Sequence, residues 1–439
     1  MSAESPAPRP VSGRTTAVDE AAAAPPAAVA AATPPAAVEP VPVLAWQQGT
    51  SSQHARWRSE RGSPPPPRVV VADDTLAANT AYQHACEGTG LLWQGDFNNA
   101  RHLLQALMRR VDRPPRRQDA PRHQTAAAPV DPAAAFYRHR QAQGQRARVL
   151  SMLLIPLQAD YRIALRRAPD LRLACEQAWG LADTGGRVAE DGLVAHSVTP
   201  LRDLLGIVSA FEWRKKGVPL PALGPAPDNR IHPHYGVFSP VRGEYVDMVA
   251  QAPLPAAVQS GSAVYDIGTG TGVLAAVLAR RGVAQVVATE IDPRALACAQ
   301  DNLQRLGLQQ QVHLLQADLY PEGRAALVVC NPPWLPLRPG SKLERAVYDE
   351  GGRMLLGFLN GLAAHLTPGG EGWLILSDLA ERLGLRTRQQ LLDAVAAAGL
   401  QVLGRIDTWP THRKAADASD PLHAARSSEV TSLWRLGAA

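Results

Sequence analysis

From residue 262 onward, short apolar runs alternate with amphipathic segments, and this alternation restricts the possible folds more than any other feature of the chain. The apolar runs predict strands, and the stretches with apolar residues three or four positions apart predict helices. The predicted strands are 262–267, 285–290, 312–315, 325–329, 372–377, 400–407 and 429–436, and the predicted helices are 271–281, 293–306, 353–365 and 386–398. Repeated strand–helix units predict an α/β fold with a doubly wound, seven-stranded, mostly parallel sheet.

The fourth predicted strand runs directly into the tetrapeptide Asn331-Pro332-Pro333-Trp334. Neither proline has an N–H to donate, so the two residues end the strand pairing. Asn331 is therefore expected just beyond the carboxyl end of a buried strand, where open α/β sheets place their ligands. An amide in that position, next to a flat aromatic ring, suits the recognition of another planar NH2 group.

The first predicted strand leads into a glycine-rich turn, Asp266-Ile267-Gly268-Thr269-Gly270-Thr271-Gly272, which opens the first helix of the repeat. Glycines at such a turn let a ligand lie against backbone N–H groups and the helix N-terminus. The dinucleotide-binding pattern requires another glycine where this chain has Val273. Asp266 is also unsuited to a pyrophosphate and suits a ligand that carries an ammonium group.

Two more acidic residues follow the next two predicted strands. Glu290 is placed to accept hydrogen bonds from ribose hydroxyls, and Asp318 to accept from an adenine amino group. An amino acid, a ribose and an adenine together describe S-adenosylmethionine. The alternative is that all three acids are ordinary turn residues.

Four motifs occur in this order: the glycine-rich turn, Thr289-Glu290-Ile291-Asp292, Ala317-Asp318-Leu319 and Asn331-Pro332-Pro333-Trp334. Together they resemble class I S-adenosylmethionine-dependent methyltransferases over about residues 230–436. Within that class they are similar to the small-domain group, which includes the HemK-type glutamine N5-methyltransferases and several rRNA guanine-N2 methyltransferases. The resemblance implies a Rossmann-like methyltransferase domain. It also implies two residue sets: the cofactor-binding residues Asp266, Gly268, Thr269, Gly270, Gly272, Glu290, Asp318 and Asn331, and the catalytic residues Asn331, Pro332, Pro333 and Trp334.

In the mechanism that the resemblance implies, the Asn331 side-chain carbonyl and the Pro332 main-chain carbonyl accept both N–H bonds of the acceptor. Trp334 would stack on the planar group, although the family usually has tyrosine or phenylalanine here. A loose match to the family's lid segment suggests Phe238, Arg242 and Glu244 as lid residues. Residues 348–353 resemble the Asp-Gly-Gly segment of that group.

The rest of the chain is divided by composition. Residues 1–67 are rich in alanine and proline and are predicted to be disordered. Residues 68–216 are predicted to form an α-rich, basic N-terminal domain for substrate recognition. A linker at 217–229 would then lead into the methyltransferase domain at 230–439.

Positive charge is concentrated within the predicted N-terminal domain. Residues 101–172 contain 15 arginines and no lysine against five aspartates, a net charge of +10. Such an excess can bind a phosphate backbone, so this segment is a candidate for contact with rRNA or the ribosome. The alternative is a solvated helical surface in a chain that uses arginine in place of lysine.

Cysteine usage and hydropathy limit the compartment and the cofactors. Four scattered cysteines with no CxxC pair favour a reducing cytoplasm and no metal site. No apolar run approaches the roughly 18 residues needed to span a membrane. The N-terminus lacks the pattern of a signal peptide.

The sequence thus predicts an S-adenosylmethionine-dependent N-methyltransferase that acts on a planar NH2 nitrogen of a macromolecule. A protein glutamine amide is the leading acceptor. An exocyclic amine of an RNA or DNA base is the first alternative, and a small-molecule amine is another. A non-catalytic scaffold that binds S-adenosylmethionine is the alternative from a different functional class.

Overall fold

The computed structural model of the protein describes residues 42–113, 131–182, 196–241, 243–259, 261–340, 342–410 and 420–439. The strands are β1 (Val43–Gln48), β2 (Ser51–Trp57), β3 (Arg68–Ala72), β4 (Thr89–Trp93), β5 (Leu153–Leu157), β6 (Ser197–Pro200), β7 (Val218–Pro219), β8 (Arg230–Ile231), β9 (Ala263–Ile267), β10 (Gln285–Glu290), β11 (Val312–Gln316), β12 (Ala325–Cys330), β13 (Leu366–Ser377), β14 (Leu400–Thr408) and β15 (Thr431–Ala438). The helices are α1 (Ala78–Cys86), α2 (Phe97–Val111), α3 (Pro132–Leu150), α4 (Arg172–Trp179), α5 (Leu201–Lys216), α6 (Glu244–Gln251), α7 (Val273–Arg280), α8 (Pro293–Arg305), α9 (Arg353–His365), α10 (Leu379–Arg382), α11 (Arg388–Ala397) and α12 (His423–Ser427).

The C-terminal sheet has seven strands in the order β11-β10-β9-β12-β13-β15-β14, and β15 alone runs antiparallel to its neighbours. This confirms the predicted doubly wound, mostly parallel sheet. Helices pack on both faces of the sheet, and side chains alternate between the faces along a strand. Leu327 and Val329 of β12 therefore lie in one core, and Val328 lies in the other. Burial on both faces explains why these strands are continuous apolar runs in the sequence.

The strand order reverses between β9 and β12, which pair in parallel at the centre of the sheet. Val329 lies opposite Asp266, and Cys330 lies opposite Ile267. The register therefore brings Asn331 and the glycine turn together at the carboxyl edge of the sheet. This is the switch point where ligands bind in open α/β folds.

The N-terminal part is built around a second sheet, six strands in the order β1-β2-β6-β5-β4-β3, with β3, β4 and β5 parallel. The prediction of an α-rich domain at 68–216 missed this sheet, although the described residues of this range do include five helices. Within this range, the apolar residues that follow α3 form strand β5, which is fully buried apart from Pro156. A five-residue apolar run is compatible with a buried helix or a buried strand, and only its partners in the sheet decide between them.

The prediction of disorder for residues 1–67 is wrong from residue 42 onward, while residues 1–41 lie outside the described residues. Strands β1 and β2 form a hairpin at the edge of the second sheet. Leu44 and Trp57 are buried, and the indole of Trp57 donates to the carbonyl of Ser63 at 2.7 Å. Composition averaged over 67 residues did not indicate these buried residues, because they pack against Leu92, Leu154 and Val198, which are distant in sequence.

The predicted linker at 217–229 packs against the core of the C-terminal domain. Val218, Leu220 and Leu223 are buried there with residues of α6 and α7. Strand β7 pairs with β8 across this segment. Since these apolar residues are buried in the C-terminal core, the segment is part of the C-terminal domain and does not act as a linker.

Polar contacts join the two parts of the described chain. Glu60, just after β2, accepts hydrogen bonds from the Trp179 indole and the Tyr235 hydroxyl, both at 2.6 Å. Arg214 at the end of α5 forms an ion pair with Asp301 of α8 at 3.0 Å. No helix among the described residues is long and apolar enough to cross a membrane.

Candidate active site

A cavity of about 900 Å³ opens at the carboxyl edge of the C-terminal sheet, at the switch point between β9 and β12. Its volume lies within the range of roughly 300–1,000 Å³ found for small-molecule sites. Every residue predicted to bind the cofactor or the acceptor lines it, with the exception of Gly272. The structure therefore brings residues from four strand ends to one site.

Asp266 lies at the floor of this cavity and is 1% exposed. Its Oδ2 accepts hydrogen bonds from the Thr269 hydroxyl at 2.6 Å and from the Ala275 amide at 3.0 Å. Burial raises the pKa of Asp266 to about 6, even though these two hydrogen bonds act in the opposite direction. No cation among the described residues pairs with this carboxylate, so a ligand ammonium group would supply the missing partner.

The glycine turn follows β9 with positive φ at Gly268, Gly270 and Gly272. A Cβ on Gly268 would lie 2.3 Å from the terminal methyl of Met354, whereas a Cβ on Gly270 would meet nothing within 4 Å. Gly272 faces away from the cavity, and a Cβ there would lie 3.2 Å from the Cβ of Ala299 in α8. This third glycine thus allows α7 and α8 to approach closely.

Glu290 ends β10 and holds the adjacent turns in place. Its Oε2 accepts from the Gly270 amide at 3.1 Å, and its Oε1 accepts from the amides of Ile291 and Asp292 at 2.9 and 3.0 Å. Each carboxylate oxygen has further lone pairs available. Glu290 can therefore accept from ribose hydroxyls while it fixes the glycine turn.

Asp318, which was predicted to accept from an adenine amino group, forms an ion pair that the sequence did not reveal. The Nη2 of Arg353 lies 2.9 and 3.1 Å from its two carboxylate oxygens. Both side chains are more than half exposed. The only sequence signal was that Arg353 directly follows Gly351-Gly352, in the segment that resembles the family's Asp-Gly-Gly motif.

Asn331 and Trp334 contact each other directly. The indole Nε1 of Trp334 donates to the side-chain oxygen of Asn331 at 2.9 Å. An amide oxygen has two lone pairs, so one remains for an acceptor N–H. Trp334 also packs against the cores on both faces of the sheet, and this contact fixes the indole. A tyrosine or phenylalanine ring at this position has no N–H to make the bond.

The loop after the tetrapeptide folds back on itself and leads to α9. Leu335 forms a bridge with Tyr348, and the Asp349 amide donates to the Leu335 carbonyl at 2.8 Å. The buried Asp349 carboxylate accepts from the amides of Met354 and Leu355 at 3.0 and 3.1 Å. This carboxylate therefore sets the start of α9, including the Met354 that touches Gly268.

The far side of the cavity is apolar and contains residues that the sequence did not identify. They come from α3, the loop after Trp334, and the segments near α10 and α12: Phe136, Leu335, Tyr348, Leu379, Leu383 and Leu422. Arg345 also lines this side and makes no side-chain hydrogen bond or ion pair with any described residue. Apart from Tyr348, which begins the predicted segment 348–353, no local motif marks these residues, because they are far apart in the chain.

The predicted lid residues have different positions in the structure. Phe238 lines the cavity and is 40% exposed, Glu244 begins α6, and Arg242 lies outside the described residues. Their role as a lid stays a prediction.

The arginine-rich segment at 101–172 is partly neutralised within the N-terminal part. Six of its described arginines form ion pairs, five with aspartates of the N-terminal part and one, Arg140, with Glu344 of the C-terminal part. Arg167 and Arg166 share the buried Asp96, and the hydrogen bond from Arg167 is the main cause that lowers the pKa of this carboxyl to about 2. Among the described residues no cluster of three or more His, Cys, Asp or Glu could hold a metal ion.

The site can be compared with known proteins. Residues 228–393 match the family model described as the methyltransferase small domain. This match supports the predicted resemblance of this part of the chain to the small-domain group of class I S-adenosylmethionine-dependent methyltransferases. The match covers the sheet edge, the glycine turn and the Asn-Pro-Pro-Trp tetrapeptide, and it confirms the predicted family.

Two curated relatives illustrate the likeness. The ribosomal protein L11 methyltransferase of Pelotomaculum thermopropionicum is 38% identical over 151 residues, which are 34% of this chain and 41% of the relative. The release factor glutamine methyltransferase of Moorella thermoacetica is 37% identical over 143 residues, which are 31% of this chain and 50% of the relative. The chain thus spans half or less of the length of these relatives.

Among solved structures, the ribosomal protein L11 methylase of Lactobacillus delbrueckii subsp. bulgaricus aligns with a TM-score of 0.33 and 18% identity, over 48% of this chain and 88% of the other.

The cavity has hydrogen-bond acceptors that match the polar groups of S-adenosylmethionine. The buried, unpaired Asp266 suits the ammonium group, and the open space above Gly270 lets a ligand approach the backbone. Glu290 has oxygens that can accept from ribose hydroxyls. Asp318 suits an adenine amino group, but it would share its carboxylate with Arg353.

Proposed function

We propose that the protein transfers the methyl group of S-adenosylmethionine to the nitrogen of a planar NH2 group on a macromolecule, with a protein glutamine amide as the leading acceptor. The observation that carries this proposal is that Asn331 and Asp266, near the carboxyl ends of the paired strands β12 and β9, line one cavity at the switch point. A relative named release factor glutamine methyltransferase supports the choice of glutamine. We place this activity in the cytoplasm, the compartment that the cysteine usage predicts.

The chain's own residues orient the acceptor. The free lone pair of the Asn331 side-chain oxygen accepts one N–H of the acceptor, and the Pro332 carbonyl accepts the other. These two bonds turn the nitrogen lone pair towards the methyl group, so that positioning and electrostatics supply most of the rate. When bound, S-adenosylmethionine supplies a methyl group on a sulfonium that leaves as a neutral thioether. The methylated nitrogen returns to neutrality by losing one proton to water.

The acceptor class is tested by labelling. Extract from cells that lack the protein is incubated with the purified enzyme and methyl-labelled S-adenosylmethionine, with Asn331→Ala as the blank. Label that survives nuclease but is lost on protease treatment is the expected result. No label above the blank in any fraction contradicts the proposed activity.

An exocyclic amine of a nucleic-acid base is the second candidate, and one observation favours it. Arg345 lines the acceptor side of the cavity without an ion-pair partner among the described residues. A cation in that position suits the phosphate next to a base. Label that survives protease but is lost on nuclease treatment would establish this candidate in place of glutamine.

The scaffold alternative has its own test. Titration calorimetry with S-adenosylmethionine should show binding, because Asp266, Glu290 and the glycine turn are all in place. Binding without transfer to any extract fraction would favour the scaffold.

A further inference from the structure

Helix α3 belongs to two hydrophobic clusters at once. Its 19 residues span about 28 Å at 1.5 Å per residue. At its C-terminal end, Val149 and Leu150 are buried among residues of the N-terminal part. Near its other end, Phe136 is 3% exposed and packs with Leu335, Leu383 and Leu422 of the methyltransferase domain.

The middle of α3 touches neither cluster. Residues 141–145 are all exposed. The first two turns of the helix are therefore held by the methyltransferase domain rather than by the N-terminal part. Ala133 lies close enough to Gly384 that a Cβ on that glycine would be 3.6 Å from the Cβ of Ala133.

Arg140 lies one turn after Phe136, on the same side of the helix. Its guanidinium carbon is 4.4 Å from the centre of the Tyr348 ring, and its Nη2 lies 3.7 Å from a carboxylate oxygen of Glu344. The same nitrogen donates to the backbone carbonyl of Arg338. All three partners belong to the loop between Trp334 and Asp349, which forms one wall of the cavity.

Phe136 itself lines the cavity that holds Asn331 and Trp334. We propose that Phe136 is a specificity-determining residue of the acceptor pocket, supplied by the N-terminal part, and that Arg140 is the positioning residue that fixes it there. This inference rests on the proposed methyl transfer and adds the part of the chain that selects the acceptor. An aromatic ring in the wall suits a planar acceptor group, because flat rings and planar amides or bases pack face to face or edge to face.

The test uses the full chain and the substitution Phe136→Leu, which keeps an apolar side chain but removes the flat ring. Phe97→Leu is the matched control, because Phe97 is 1% exposed in the N-terminal core and does not line the cavity. The acceptor probes are a nuclease-treated protein fraction and a protease-treated RNA fraction from cells that lack the enzyme. For the fraction that wild type labels, Phe136→Leu should raise KM about tenfold. The Kd for S-adenosylmethionine should stay within about twofold, and both constants should be unchanged in Phe97→Leu.

A second pair of variants tests the positioning role. Arg140→Met should raise the acceptor KM by about fivefold with unchanged cofactor affinity, since a loosened Phe136 loses only part of its contact. Arg148→Met, an exposed arginine on the same helix, is the control and should have no effect.

Two results would overturn the inference while leaving the proposed function intact. One is an acceptor KM that is unchanged in Phe136→Leu, and the other is an equal change in Phe97→Leu. If wild type labels neither fraction, the proposed function fails and the inference fails with it.

Discussion

At the residue scale, Trp334 makes a contact that the sequence did not predict. The sequence predicts that its ring stacks on the acceptor, whereas the structure shows its indole N–H on the Asn331 oxygen. The tryptophan therefore fixes the orientation of the amide that is proposed to hold the substrate. A stacking role for the same ring stays a prediction.

Trp334→Phe should lower kcat about fivefold, because it removes one hydrogen bond worth about 1 kcal/mol and leaves the Asn331 amide free to rotate. The Kd for S-adenosylmethionine, measured by calorimetry, should be unchanged. Trp409→Phe, at a tryptophan that is 63% exposed, is the matched control. A kcat equal to that of wild type would show that the hydrogen bond does not orient the amide.

The pKa of Asp266 predicts a pH dependence of cofactor binding. Burial raises this pKa to about 6, and only the ionised form attracts an ammonium group. The affinity for S-adenosylmethionine should therefore fall as the pH drops from 7 through about 6 to 5. Asp266→Asn should bind more weakly at pH 7 and show a flat profile over this range. An equally steep profile in the variant would assign the titration to another group.

The raised pKa of Asp266 also affects the stability of the ligand-free protein, which falls as the pH rises, whereas cofactor affinity increases. Because the folded-state pKa is raised, the ligand-free protein carries a cost for the buried carboxylate that is absent below about pH 4. The cost grows between about pH 4 and 6 and is complete above that.

At the scale of elements, the turn before α9 connects the acceptor loop to the cofactor site. The Asp349 carboxylate accepts from two amides of the first turn of α9, and Met354 in that turn contacts Gly268. A change in this cap would therefore shift both halves of the cavity.

Asp349→Ala should lower the free energy of unfolding by about 1–2 kcal/mol, since two amides at the start of α9 lose their acceptor. Urea unfolding followed by circular dichroism measures this loss. The neighbouring exposed Glu350→Ala should change stability by less than about 0.5 kcal/mol. Equal losses in the two variants would argue against a capping role.

How well an element could be predicted depended on whether its partners are local. Strand β12 could be predicted from its own residues, because burial on both faces makes it a continuous apolar run. Helix α8 could be predicted as well, because Pro293 marks its first turn. Strand β13 begins at Leu366, before the predicted residue 372, because Leu366 pairs with Ala325 across a Pro-Gly-Gly segment that locally suggests a turn.

The same reasoning explains what the sequence showed of the site. Asp266, Glu290 and Asn331 follow strands at fixed positions, so their convergence could be predicted from topology. Phe136 and Arg353 reach the cavity only through packing and an ion pair between distant segments. No local pattern indicates the contacts of Phe136, and the Gly-Gly pair before Arg353 marks its position but not its ion pair.

At the scale of the whole molecule, the carboxylate of Glu60 links the two parts of the described chain by accepting a hydrogen bond from each. Glu60 holds Trp179 of the N-terminal part and Tyr235 of the segment that leads into the cavity. Burial, followed by the bond to Glu60, raises the pKa of the Tyr235 hydroxyl well above its usual value. The hydroxyl therefore stays protonated and continues to donate.

Glu60→Ala should reduce the free energy of unfolding by about 2 kcal/mol, because hydrogen bonds to a charged group contribute more than neutral ones. Glu212→Ala, which breaks only an exposed pair with Lys215, should cost less than about 0.5 kcal/mol. Differential scanning calorimetry measures both. A Glu60 variant as stable as the control would show that this contact does not hold the two parts together.

The two anchors of α3 also restrict how the length of the chain can change there. A helix turns by about 100° per residue, so a single inserted residue between Phe136 and Val149 would rotate one anchor away from its cluster. Two full turns, about seven residues, would restore the phase but move the anchors roughly 10 Å further apart. The two anchors therefore fix the length and rotation of the helix between them. Residues 141–145 can be substituted, but residues cannot be inserted or deleted there.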